Sequence, residues 1–152
     1  MAVAYVGTHA RILDSLAAHL AAGPSVRAFL GVGDDLVAAR ARIVEIDGEV
    51  LTSEHILLTA PRLKFSRTAG GAYRGPAQLG LILCAPAVAG DTAAEDQRRA
   101  LNWLSPIMAW CTRLAWPLVR DIEDSEPIVL DMSDGLPGWL CAGIDLTVDV
   151  LP

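Results

Sequence analysis

Gln78-Leu79-Gly80-Leu81-Ile82-Leu83-Cys84, near the middle of the 152-residue chain, is the stretch whose reading decides the fold. It is apolar almost throughout and lacks the polar alternation of a strand with one wet face. Such a run predicts a strand over 77–85 at the middle of a sheet, covered on both faces. On its N-terminal side, Thr68 to Pro76 holds four glycine or proline residues in nine. That density predicts a loop tip or a mobile β-hairpin arm. Before it, Leu63 and Phe65 alternate with Arg62, Lys64 and Ser66, a strand with one wet face.

Further toward the N-terminus, the section from Ala38 to Arg67 has a period near two and reads as β-rich. Ala41 and Ile43 alternate with Arg42, Val44 and Ile46, and Asp47-Gly48 predicts a two-residue hairpin turn. Val50 to Leu58 would be the return strand. Val26 to Leu30 reads as a short strand, and Gly31-Val32-Gly33-Asp34-Asp35 as a turn. The first helix begins near Thr8, with Ile12, Leu13, Leu16, Ala17 and Leu20 forming one apolar stripe, and Gly23-Pro24 stops it.

On the C-terminal side, Thr92-x-x-Glu95 predicts a capping box. Leu101, Leu104, Met108, Cys111 and Ala115 follow helical spacing, and Trp103, Ile107, Trp110 and Leu114 widen the stripe. Ser105-Pro106 predicts a kink, or two abutting helices with Ser105 capping the second, and Trp116-Pro117 the end. Ile128 to Met132 reads as a strand, Ser133 to Gly138 as a turn, and Trp139 to Leu151 as the closing strand. In that last run Ile144, Leu146, Val148 and Val150 alternate with Asp145, Thr147 and Asp149, the best period-two signal in the chain. The expected fold is α+β: an antiparallel or mixed β-sheet with two main helices packed on one face, plus a flexible β-hairpin arm, with residues 1–152 as one domain.

Composition bounds the function. A chain that is 53% apolar and 20% charged is an ordered globular protein. Twelve Lys+Arg against 18 Asp+Glu leave a net charge of −6, which argues against a surface built to hold phosphate backbones. Lys64 is the single lysine, and the arginine-rich remainder reads as coding bias. Cys84, Cys111 and Cys141 lie far apart in apolar stretches without a C-x-x-C pair, and read as small buried hydrophobes in a reducing compartment. No apolar run approaches the ~18–20 residues of a membrane span, so a cytoplasmic, membrane-free protein is the default.

No catalytic signature stands out. Gly31-x-Gly33-Asp34-Asp35 lacks the lysine and further glycine of a phosphate loop and reads as a turn. His9 and His19 share the first helix without the i,i+4 spacing of a metal pair, and read as surface histidines. Ser53 and His55 invite a nucleophile-and-base pairing, which we do not adopt as a site. Asp121, Glu123, Asp124 and Glu126, continued by Asp131 and Asp134, do not match a Ca²⁺ loop and read as a solvated acidic edge. Arg62, Lys64, Arg67 and Arg74, interleaved with Phe65 and Tyr73, are better suited to an acidic neighbouring surface than to nucleic acid, given the overall charge. Trp139, beside Pro137-Gly138, is the tryptophan most expected at a contact.

The leading helix over Ile12 to Leu20, the passage Pro61-Arg62-Leu63, the run Gly75-Pro76-Ala77-Gln78-Leu79-Gly80-Leu81-Ile82-Leu83, the helix over Asp91 to Leu114 and the closing strand Trp139 to Val150 together resemble the layout of the small tail-terminator and minor tail proteins of long-tailed bacteriophages. The resemblance is one of layout over most of the chain, because this family has no invariant motif. It implies a non-enzymatic structural virion protein, without cofactor or metal. Such a protein forms a homo-oligomeric ring, commonly a hexamer, that caps the tail tube and joins it to the head. The implied partners are further copies of the chain, the tail tube protein and head-tail connector proteins, with DNA passing through without specific binding. The implied location is the virion tail, assembled in the bacterial host cytoplasm. Arg62, Lys64, Arg67, Tyr73, Arg74 and Trp139 are the expected interface residues. Two alternatives remain: another adaptor, such as a head-completion, neck or secretion-system tube protein, and a small hydrolase using His55, Asp131 and the Asp34-Asp35 pair.

Overall fold

The structure, a computed structural model, describes residues 8–45, 53–59, 61–63, 75–113, 119–130 and 139–150, with the backbone alone for 119–130. In chain order these are α1 (Thr8–Ala21), α2 (Pro24–Leu30), α3 (Leu36–Ala41), β1 (Ile43–Glu45), β2 (His55–Leu58), β3 (Arg62–Leu63), β4 (Gly75–Pro86), α4 (Ala93–Cys111), β5 (Val119–Leu130) and β6 (Trp139–Val150). The six strands form one mixed sheet in the order β1-β2-β4-β6-β5, with β3 also on β4. The fold is α+β.

The apolar run of β4 does lie in the middle of the sheet. β6 pairs with it antiparallel along all twelve residues, from Gly75 opposite Val150 to Pro86 opposite Trp139. Strand alternation then sorts the side chains. Ala77, Leu79, Leu81, Leu83 and Ala85 of β4 and Ala142, Ile144, Leu146 and Val148 of β6 are buried on one face. They join Ile12, Leu16, Ala17 and Leu20 of α1, Val26, Phe29 and Leu30 of α2, Ala39 of α3, and Ala100, Leu104 and Ile107 of α4 in one continuous core. All four helices therefore cover the same face. The opposite face of β4 is only partly covered, contrary to the sequence expectation, with Gln78 exposed and Gly80 and Ile82 half-buried.

Val26 to Leu30 is helical, not a strand. Pro24 occupies the first turn, where its missing N–H costs nothing, and Val26, Phe29 and Leu30 fall at helical spacing on the buried side. Gly31, at φ 69°, closes α2 in the left-handed region, its N–H bonding the carbonyls of Ala28 and Arg27. α3 likewise takes over Ala38 to Ala41, since the Asp35 carboxylate accepts the Ala38 N–H at 3.0 Å and starts a helix there. Two arginines close helix ends here. Arg27 donates to the Ala21 carbonyl at 3.1 Å at the end of α1, and Arg42 donates to the Leu30 carbonyl at the end of α2. Both place positive charge at a helix C-terminus.

β1 and β2 pair in parallel, with Ile43 opposite Ile56. Parallel neighbours cannot be joined by a two-residue turn, so the hairpin expected at Asp47-Gly48 does not link them; Asp47 and Gly48 themselves lie outside the described residues. β3 pairs antiparallel with β4, Arg62 opposite Gln78, and the residues 64–74 of the expected arm lie outside the described set. The Thr92 hydroxyl caps α4 by accepting the Glu95 N–H at 3.2 Å. α4 runs unbroken through Pro106 and ends at Cys111, without a second helix capped by Ser105. The carbonyl that proline deprives of its partner belongs to Asn102, which is exposed, so water can satisfy it. β5 begins at Val119 rather than Ile128, and so absorbs the whole acidic segment into an edge strand.

Candidate functional site

The helix-free face of the sheet is where chemistry-bearing side chains collect. Cross-strand register sorts it into rows running across the strands. One row holds Val44, Leu57, Ile82 and Gly143, with Ile128 at the β5 position; the next holds His55, Cys84 and Cys141, with Leu130 at the β5 position. Val44, Leu57 and Ile82 are half-buried, whereas Cys84 and Cys141 are fully buried. This half of the face is apolar.

The other half is polar and mostly acidic, with Arg62 a cation at its β3 end. Asp145 is exposed and Asp149 half-buried. Register places Glu126 opposite Asp145, Asp124 opposite Thr147 and Asp121 opposite Asp149. Two acidic residues of β5 thus hold register positions opposite acidic residues of β6, and like charges at such positions disfavour a sheet. Gly80 makes the close approach at the border of the two halves possible. A Cβ there would lie 3.2 Å from Asp145 Oδ1 and 3.3 Å from Thr59 Oγ1. The Thr59 hydroxyl accepts the Gly80 N–H at 2.7 Å and donates to the Gly80 carbonyl at 3.2 Å.

Of the expected interface residues, Arg62 is exposed on β3 and Trp139 is half-buried at the start of β6. Both fall on this face, but at opposite ends. Arg62 pairs at Gln78 and Trp139 at Pro86, so a rise of about 3.4 Å per residue separates them by roughly 27 Å. Lys64, Arg67, Tyr73 and Arg74 lie outside the described residues.

The hydrolase constellation is not assembled by the described residues. His55 stands on the helix-free face, its Nδ1 2.8 Å from the Ser53 carbonyl rather than from the Ser53 hydroxyl. Asp34 and Asp35 belong to the helix layer on the other side of the sheet, and Asp35 is occupied as the cap of α3. Asp131 lies outside the described residues. Among the described residues no group of three or more His, Cys, Asp or Glu has metal-binding geometry, and no helix is long and apolar enough to cross a membrane.

Two features escaped the sequence reading. His19 is buried, not a surface residue. Its Nε2 donates to the Trp110 carbonyl at 2.8 Å, the Trp110 indole N–H donates to the His19 carbonyl at 2.7 Å, and the rings stack 5.0 Å apart. Burial holds the His19 imidazole below its usual pKa; the Trp110 carbonyl acts in the opposite sense, and Arg113, 5.1 Å over the indole, in the same sense. The other feature is the Cys84–Cys141 contact, with sulfurs 3.3 Å apart across β4 and β6. Cys positions alone carried no signal for it, because register is a property of the folded sheet.

No family model matches the chain, and no curated protein matches it.

Proposed function

We propose that the protein is a structural virion component that assembles into a ring, caps the tail tube and joins it to the head. The observation that carries this reading is the acidic half of the helix-free face. Asp145 and Asp149, with Asp121, Asp124 and Glu126 at the facing register positions, make an acidic strip along β6 and β5. Like charges placed directly opposite weaken a sheet, so this strip is better explained by a task than by stability. Lining a channel through which DNA must slide is such a task, since an acidic wall repels phosphates and releases no counterions.

The element order supports the same reading, since it is the layout that resembles the tail-terminator and minor tail proteins. A closed ring uses two different patches on each subunit. In this proposal Arg62, Lys64, Arg67, Tyr73 and Arg74 form one patch and dock on an acidic surface of the next copy away from the channel, while Trp139 contacts the tail tube or connector side. The protein is not an enzyme in this reading and takes no cofactor.

Native mass by light scattering over a concentration series, with negative-stain images of the same sample and of the sample mixed with tail tubes, tests it. The expected species is a multiple of 16.1 kDa with a central hole, in solution or on the tube end. A compact monomer that neither closes on itself nor binds a tube overturns the ring.

A further inference from the structure

Cys84 and Cys141 stand directly opposite one another in the antiparallel β4–β6 ladder, with their sulfurs 3.3 Å apart. Both side chains are fully buried, yet neither belongs to the core beneath the helices. Directly opposed residues in such a ladder have Cα atoms about 4.5 or 5.5 Å apart. Both values fall in the ~4.4–6.8 Å window that a disulfide spans. Bond formation requires the sulfurs to approach by about 1.3 Å, to the ~2.05 Å of an S–S bond, a movement within reach of side-chain rotation. Because the pair lies on the helix-free face, that rotation leaves the packing of the helices on the sheet undisturbed.

We propose that Cys84 and Cys141 form a redox-responsive dithiol that hydrogen peroxide closes to a cross-strand disulfide. Neither sulfur has exposed surface, so the oxidant enters only when the sheet opens locally, which favours small, neutral hydrogen peroxide over a bulky disulfide. In the first step the Cys141 thiolate attacks one peroxide oxygen. The O–O bond breaks, Cys141 becomes a sulfenic acid, and the departing hydroxide takes up a proton to become water. In the second step the Cys84 sulfur attacks the Cys141 sulfur; the S–S bond forms, the S–O bond breaks, and the leaving hydroxide takes the Cys84 proton. In sum, two thiols and one peroxide give one disulfide and two waters, the two electrons passing from the sulfurs to the peroxide oxygens.

The neighbouring Cys84 thiol, donating to Cys141 once that sulfur has ionised, pulls the Cys141 pKa down despite burial, while the same contact and then burial push Cys84 up. Cys111 is buried in the helix-side core, and burial pushes its thiol up to about 12. It is therefore the thiol expected to survive. The bond would tie strands 57 residues apart in the chain, limiting the unfolded ensemble and resisting unfolding. This inference does not rest on the ring.

The test treats the native full-length chain with hydrogen peroxide, removes the peroxide with catalase, and then denatures the chain in N-ethylmaleimide. Intact mass and peptide mapping are the readouts. The expected product has lost two hydrogens, carries one maleimide at Cys111 and yields a peptide joining Cys84 to Cys141. Its thermal midpoint is raised, and dithiothreitol abolishes the rise. Cys111→Ala retains the link, and Cys84→Ala loses it. Three alkylated thiols after native treatment overturn the proposal. So does a link that forms only in denatured protein, a link to Cys111, or sulfinic acid at Cys84 or Cys141 without the link.

Discussion

His19 connects α1 to α4 through a reciprocal pair of side-chain-to-backbone hydrogen bonds, each ring donating to the other residue's carbonyl. The donor role of Nε2 settles what protonation does. The neutral ring already satisfies the Trp110 carbonyl, and a second proton adds charge in a buried place beside Arg113. The folded pKa lies below the ordinary 6.5. The stabilisation this gives is fully present above pH 6.5 and is lost as pH falls through the folded value. Urea midpoints measured from pH 8 to 5 are expected to hold steady at the upper end and to fall below 6.5. His19→Gln, whose amide can still donate to Trp110, is expected to remove the part of that slope due to His19. Identical slopes in both proteins would exclude His19 as its source. Nothing in the sequence marked His19 for this role, because the helical period placed it beside the apolar stripe and its partner lies 91 residues away.

Packing of the α1–α2 turn against α4 depends on a missing side chain at Gly23. Its backbone, at φ −80° and ψ 125°, is open to any residue, so the glycine is needed for space and not for conformation. A Cβ there would lie 2.6 Å from Trp110 Nε1, on a ring that its hydrogen bond to His19 holds in place. Gly23→Ala is expected to destabilise the fold by about 1–3 kcal/mol, as overpacked sites do, and a denaturant midpoint equal to wild type would show that Trp110 moves freely. Elements with a clean period were legible in the sequence: α1 and the closing strand are where their patterns put them, and β4 is central. The misread ones are those whose partner decides. Val26, Phe29 and Leu30 fit either type over so short a span, and capping at Pro24 and Gly31 decided for a helix. The parallel pairing of β1 with β2 depends on a neighbour that no local pattern specifies. Among the acids of 121–126, β5 also shows how an edge is kept from sticking, since register shifts near Asp121 and Asp124 and the proline at 127 spoil it as a template for another strand.

In the proposed ring, the central question is which way the acidic strip faces. Charge does not place it, because −6 per chain fits a channel wall and an outer surface equally well. Reversing the strip does separate the two. Asp145 is exposed and Asp149 half-buried, so replacing both with lysine leaves the helix-side core untouched. Each change adds two charges, taking the chain from −6 to −2. Facing a channel, the lysines of all copies would converge on one axis, and assembled rings of Asp145→Lys/Asp149→Lys are expected to retain duplex DNA. The logarithm of affinity should then fall linearly with the logarithm of salt, by about 0.9 per phosphate neutralised. Facing outward, the same lysines would be spread around the rim and held apart by more than the ~8–10 Å over which charges act at physiological salt. A fluorescence-anisotropy titration with a short duplex, run on assembled and dissociated protein, reads the difference. Tight, salt-sensitive binding by the variant only when assembled supports the channel, while binding no stronger than wild type in the ring removes the acidic strip from its wall.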